Sequence, residues 1–299
     1  MADQDLFTAA QMTRLSGLRV LARQAVEGSC TGIHKSPHKG VSVEFREHRP
    51  YVRGDEVRKI DWKVYAKTDR FYIREFEEET NLRCTLLLDS SGSMAYRGRR
   101  APVSKHEFAI QVCASLAYLL LSQQDTVGLL TFDETLRAHL PPRGRPSHLQ
   151  ALLGQMVRSE PGGETELGAV LQQVAARLGR PGLLVLVSDC FCDVPRLTQA
   201  LSRLRAARHE VIVFQLFDPD EIDFPFQGRK QLKALERSLG TRLIDAQTLR
   251  QGYLEQLEVF RQTLTEGCRR NRIDLLSLTT DTPPADALAA YVTHRRRRR

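Results

Sequence analysis

Between residues 83 and 279, short unbroken apolar runs alternate with longer stretches whose apolar residues fall three and four apart. Leu86-Leu87-Leu88, the run from Thr126 to Phe132 and that from Gly182 to Val187 lack the polar alternation of a half-exposed strand, so each reads as a strand buried on both faces, and residues 210–217 and 273–279 read as further strands. Between them lie helical stripes: Phe108, Val112, Leu116 and Leu119/Leu120 within residues 104–121; residues 148–157; and Leu167, Val170, Leu171, Val174 and Leu178. Further helices are expected over 195–208 and 249–270. This alternation predicts an α/β fold, a mainly parallel sheet with helices on both faces. Right-handed crossovers put the C-terminal ends of parallel strands on one rim, and ligands gather there where strand order reverses.

Other stretches are expected as follows. Residues 11–27 place Met12, Leu15, Leu18, Leu21, Ala22 and Ala25 at helical spacing before Gly28. Residues 31–50 read as irregular and basic, 71–76 as a strand, and 135–140 as an edge strand ended by Pro141-Pro142. Residues 218–229 fit no period, 230–239 read as a helix and 242–245 as a short strand. The expected division is an N-terminal α+β extension (1–80), the main domain (81–282), and a C-terminal helix with a solvated, disordered arginine tail (283–299).

Composition excludes several classes. No apolar run approaches the ~20 residues of a membrane-spanning helix, and the start Met1-Ala2-Asp3-Gln4-Asp5 lacks a basic region followed by an apolar one, so a cytoplasmic protein is expected. Of the six cysteines, Cys84 and Cys113 sit in apolar patterns, while Cys190 and Cys192 are one residue too close for a CxxC ligand pair. Arginines 295–299 supply five of the net +8 charges, leaving +3 for the rest, a mildly basic body.

Chemistry begins where the Leu86-Leu87-Leu88 strand stops. Asp89, Ser91 and Ser93 alternate around Gly92 and can turn three hard oxygens toward one point, which suits Mg²⁺ with its six oxygen ligands at about 2.0–2.1 Å. Asp189 ends another buried strand, and Thr165 lies after Gly162-Gly163 at the start of a helix, so the fold is expected to bring all five residues to one rim.

This constellation resembles the metal-ion-dependent adhesion site of von Willebrand factor A domains. The resemblance implies a Rossmann-like domain of that type, with Asp89, Ser91, Ser93, Thr165 and Asp189 contacting the metal directly or through water. Mg²⁺ is the implied ion, with Mn²⁺ and Ca²⁺ as alternatives. Glu164 departs from the pattern, standing where relatives usually have Gly directly before Thr. Upstream, Tyr51-x-x-Gly54-Asp55-x-x-Arg58-x-Ile60-Asp61-Trp62-x-x-x-Ala66 and Arg74-Glu75-Phe76-Glu77-Glu78-Glu79 resemble the bacterial family called domain of unknown function 58, as do Gly32-Ile33-His34-Lys35-Ser36 and Lys39-Gly40-x-x-x-Glu44-Phe45. That resemblance implies a non-enzymatic, metal-dependent protein-protein interaction module. It also implies an adaptor working with a MoxR-type AAA+ ATPase in complex assembly or maturation, and a partner that offers an acidic residue to the metal.

Two alternatives stand beside it. One is a metal-dependent phosphohydrolase with Asp89 as nucleophile, although Ser91 two residues on cannot act as a carboxylate general acid, and no GxxxxGK[ST] loop is present for ATP. The other is nucleic-acid binding, an unfavoured reading, through Tyr51, Trp62, Tyr65, Tyr72 and the arginine tail. Acids match bases around those aromatics, which favours an internal network. The basic loop at residues 97–100 reads either as a steering patch for an acidic partner or as a solvated turn.

Overall fold

The computed structural model describes residues 9–29, 40–52, 60–80, 82–164, 166–233 and 241–297. The chain forms two units, one of residues 34–82 and the other of 1–33 with 83–299. The N-terminal helix falls in the larger unit, and the smaller unit ends at Leu82.

In the main unit six strands lie in the order β10-β7-β6-β3-β4-β5. They are β3 (Arg83–Asp89), β4 (Thr126–Phe132), β5 (Leu136–Arg143), β6 (Leu183–Ser188), β7 (Glu210–Phe217) and β10 (Asp274–Thr279). All pair in parallel except β5, which runs antiparallel to β4 at the edge. Pro141 and Pro142 lie within β5 rather than ending it. An edge position tolerates them because the missing N–H groups leave no inner ladder bond unmade. The central strand β3 is buried from Cys84 to Asp89, as an apolar run without alternation requires.

One face is covered by α5 (Leu167–Arg177), α6 (Val194–Ala206) and α8 (Ala246–Arg270), whose Leu171, Leu201 and Leu264 join Leu87, Leu186 and Val213 in one core. Burying each such leucine contributes about 1.5–3 kcal/mol. The other face is covered by α3 (Lys105–Ser122), with α1 (Ala9–Ser29), α4 (His148–Arg158) and α9 (Pro284–Arg297) packed beside it. Leu18, Ala22 and Ala25 form the buried stripe of α1. Ser104 starts α3 with a capping box: its hydroxyl accepts from the Glu107 N–H and the Glu107 carboxylate from the Ser104 N–H.

Three further expectations are corrected. Residues 229–233 form a strand, β8 (Arg229–Lys233), paired antiparallel with β9 (Thr241–Asp245), where a helix was expected. Gly228, at φ +65°, turns the chain into it, and pairing with β9 outweighs helical propensity; residues 234–240 lie outside the described residues. Within the stretch read as irregular, β1 (Gly40–Pro50) pairs antiparallel with β2 (Tyr72–Thr80), in keeping with the alternation Val41-Ser42-Val43-Glu44-Phe45. Residues 295–297 of the tail expected to be disordered continue α9, since cations near a helix C-terminus complement its dipole, and residues 298–299 lie outside the described residues.

In the smaller unit, α2 (Trp62–Thr68) follows Asp61, whose carboxylate accepts from the Val64 N–H at 3.3 Å. Tyr65 stacks on Phe71 with centroids 4.5 Å apart, and Trp62 and Tyr51 meet Phe71 edge-on. The aromatics pack on one another, with Trp62 and Phe71 exposed at the surface.

Candidate functional site

Strand order reverses between β3 and β6: β3 leads through α3 to β4 on one side, while β6 and β7 lie on the other. Asp89 is the last residue of β3, and Asp189 follows the last residue of β6. Both are fully buried. Register sets Leu88 against Val187, so Asp89 faces Ser188, whose hydroxyl donates to Asp89 Oδ2 at 2.5 Å. The Ser91 N–H donates to Asp89 Oδ1 at 2.8 Å, turning the chain back over the carboxylate. Ser91 Oγ and Ser93 Oγ lie 3.2 Å apart at the start of a 3₁₀ turn over Gly92–Ala95.

A third loop joins these two. The Gly92 N–H donates to the Gly163 carbonyl at 3.1 Å, and the Gly162 N–H donates to the Ser90 carbonyl at 2.8 Å. Gly163 has φ +77°, and a Cβ there would lie 3.1 Å from Glu134 Oε1, so glycine suits the position twice over. Thr165 lies outside the described residues. His106 braces the arrangement from α3, its Nε2 3.4 Å from Ser90 Oγ and 3.3 Å from Ser159 Oγ. Four of the five sequence-derived residues, Asp89, Ser91, Ser93 and Asp189, thus stand on one rim.

The electrostatics are lopsided. Burial, and then the charge of Asp189, push the Asp89 carboxyl up from its ordinary 3.8 to about 7. Asp189 has an internal cation: Lys105 Nζ lies 2.7 Å from its Oδ2 and 2.6 Å from Glu221 Oε1. Lys105 is 1% exposed. Burial alone would discharge the amine, but Asp189 and Glu221 outweigh it and raise its pKa. The Phe191 ring adds a face 4.9 Å from the ammonium, and the Phe191 N–H donates to Asp189 Oδ1 at 3.1 Å.

Glu221 belongs to α7 (Pro219–Asp223), capped by Asp218 in the stretch that fitted no sequence period. This short helix holds the basic loop. Gly98 N–H donates to Asp218 Oδ2 at 2.7 Å, Arg99 N–H to Asp220 Oδ2 at 3.0 Å, and Arg100 binds Asp220 at 2.9 Å and Asp223 at 2.6 Å. Arg100 is thereby engaged within the rim.

Lys105, Ser188 and Glu221 were missed by sequence reasoning. The stripe of α3 carried backward from Phe108 by three residues lands on Lys105, and a lysine on the buried face of a helix is the signal that could have found it. Ser188 sits beside Asp189 as the final residue of an apolar strand; Glu221 had no such signal. Burial pushes the Cys192 thiol up to about 12 and Cys190 well above the ordinary thiol range, the opposite direction from an activated thiolate.

Chemically, the rim offers a buried carboxylate without an internal cation, a second carboxylate and two hydroxyls. Among the described residues no group of three or more His, Cys, Asp or Glu is placed to hold a metal, so any cation here would rely on serine oxygens and water as well as the carboxylates. That donor set is hard, fitting Mg²⁺ and ill-suited to zinc.

Fold and rim define a doubly wound α/β protein with its candidate site at the strand switch point. More particularly, the chain belongs to the family described as "Protein of unknown function DUF58", matched over residues 47–263. It is 25% identical over 286 residues to uncharacterized proteins of Mycobacterium tuberculosis and Mycobacterium bovis, covering 95% of this chain and 89% of each relative. Among solved structures it is similar to the conserved hypothetical protein BatB of Bacteroides thetaiotaomicron, with TM-score 0.46, 14% identity, and coverage of 72% of this chain and 98% of that one. An aerotolerance-related membrane protein of Bacteroides fragilis gives TM-score 0.48 and 16% identity, covering 70% and 96%. Among the described residues no helix is long and apolar enough to cross a membrane.

Proposed function

We propose that this rim is a metal-dependent protein-docking site of the von Willebrand factor A kind. Asp89, Ser91, Ser93 and Asp189 would hold a divalent cation, Mg²⁺ in the first instance, with Thr165 added by family resemblance. When bound, the ion supplies a concentrated positive charge able to accept a carboxylate from another protein. The chain's own residues prepare for it: Ser188 and the Ser91 N–H fix the Asp89 carboxylate, and the Gly162-Gly163 loop aligns the neighbouring oxygens. The observation that carries this reading is the pairing of two buried carboxylates at the switch point, only one of which has a lysine.

The partner class is an acidic surface of a protein, and by family resemblance the chain acts as an adaptor for a MoxR-type AAA+ ATPase in assembly or maturation. Neither role requires the chain to catalyse a reaction. The test is affinity capture from the native host with the tagged protein and its Asp89→Ala variant, in Mg²⁺ and in EDTA. Capture of an AAA+ ATPase by the native chain in Mg²⁺ alone is expected. Equal capture under all four conditions would refute it.

A further inference from the structure

Parallel strands give the sheet a second edge, at their N-terminal ends. Arg83 pairs with Thr126, Cys84 with Leu183, Leu183 with Glu210, and Asp274 with Ile212, so these strand starts line up within two residues of one another. The loops feeding them carry Arg180, Arg208 and Arg272, all exposed, before β6, β7 and β10. Those three strands are neighbours, about 4.8 Å apart. Arg143 and Arg145, also exposed, extend the edge beyond β4, where Val127 pairs with Arg143. A cleft of about 660 Å³ opens there between α6 and α8, lined by Arg205, Arg269, Arg272 and Thr265, with the buried carboxylate of Asp274 among its walls.

Two details separate this edge from ordinary surface charge. Arg208 and Arg272 follow the ends of α6 and α8 with φ of +65° and +55°, the left-handed conformation in which glycine is the favoured residue. Arginine is held there despite the strain. The balance of charge also differs: Asp133, Asp193, Asp218, Asp220 and Asp223 lie at the opposite rim beside the basic loop of residues 97–100, whereas the acids at this edge, Asp125, Glu210 and Asp274, are buried or half-buried.

We infer that this edge is a binding surface for a nucleic-acid backbone, contacted through its phosphates without reading sequence. A linear row of guanidinium groups, one per strand, suits a linear polyanion, and the guanidinium fork pairs with phosphate oxygens two at a time. An anionic bilayer fits less well, because none of the exposed large apolar side chains of the described residues lies in these loops to enter it. Those loops also offer no exposed aromatic ring for base stacking, which removes the usual means of reading single-stranded bases. The inference is independent of the metal rim, which lies at the other ends of the same strands.

The test is fluorescence anisotropy with a labelled single-stranded DNA of mixed sequence, using the full chain at 50 and 200 mM NaCl. Neutralising three phosphates predicts a fall in affinity of about 20-fold across that range. The Arg180→Gln, Arg208→Gly, Arg272→Gly triple variant is expected to bind at least about tenfold more weakly, with a salt slope lower by about 2. Arg208→Gly alone removes left-handed strain, so it keeps or raises the melting temperature while lowering the slope by about 0.7. No DNA binding at 50 mM NaCl, native binding by the triple variant, loss of all binding on deleting residues 295–299 alone, or binding only to phosphatidylserine vesicles would each overturn the inference.

Discussion

Lys105 Nζ lies 2.7 Å from Asp189 Oδ2, and neither residue is more than 1% exposed. The lysine comes from the first turn of α3, the aspartate from the loop after β6, so the ion pair ties the helix following one site loop to the second site loop. A buried pair of this kind adds little when intact compared with apolar packing, but removing one partner leaves a charge without solvent or counterion.

Lys105→Met is therefore expected to destabilise the metal-free protein by about 3–5 kcal/mol, read as a shift in urea midpoint. Because the substitution frees Asp189, millimolar Mg²⁺ should recover more stability in this variant than it adds to the native chain. A midpoint unchanged by the substitution would show that the pair is not buried in solution.

Asp89 gives the metal-free fold an unusual pH dependence. The folded chain keeps a proton on this carboxyl up to about pH 7, whereas the unfolded chain releases it near the ordinary 3.8. Between those values the folded state binds more protons, so this group's contribution to stability falls as pH rises. Asp89→Asn should remove that slope and stabilise the metal-free protein at pH 8 by about 4 kcal/mol, while being near neutral at pH 4. Thermal melts in EDTA across that range check it, and parallel profiles for the two proteins would contradict it.

The clasp between the basic loop and α7 leaves no room at Gly98, where a Cβ would sit 2.2 Å from Asp218 Oδ1 and 2.6 Å from Asp220 Oδ2. Gly98→Ala should cost about 1–3 kcal/mol in the melt. Paired with Asp220→Ala it should cost less than the sum of the two, since both changes act on one contact. Strict additivity would mean that the loop and α7 do not meet.

The sheet was legible in residues such as Leu86, Leu129 and Val185, because a strand buried on both faces must be apolar throughout. Asp89 and Asp189 were legible for a related reason: a carboxylate ending such a strand has nowhere to go but the rim. Lys105 was hidden by the convention that helix stripes are read from apolar residues, and Glu221 by a five-residue helix too short to show a period. Strand β8 was misread because residues 230–239 carry helical spacing, and pairing with β9, which single-segment periodicity does not show, decides the strand. Arg180, Arg208 and Arg272 looked unremarkable in a mildly basic chain, since only the topology lines them up on one edge.

The central claim is that the Asp89 rim holds a divalent cation. Isothermal titration of the EDTA-treated native chain with MgCl₂, alongside Asp89→Ala, tests it most directly. A saturable one-to-one isotherm for the native chain, absent in Asp89→Ala while that variant still melts cooperatively, is the predicted result. Indistinguishable isotherms for the two proteins would contradict it.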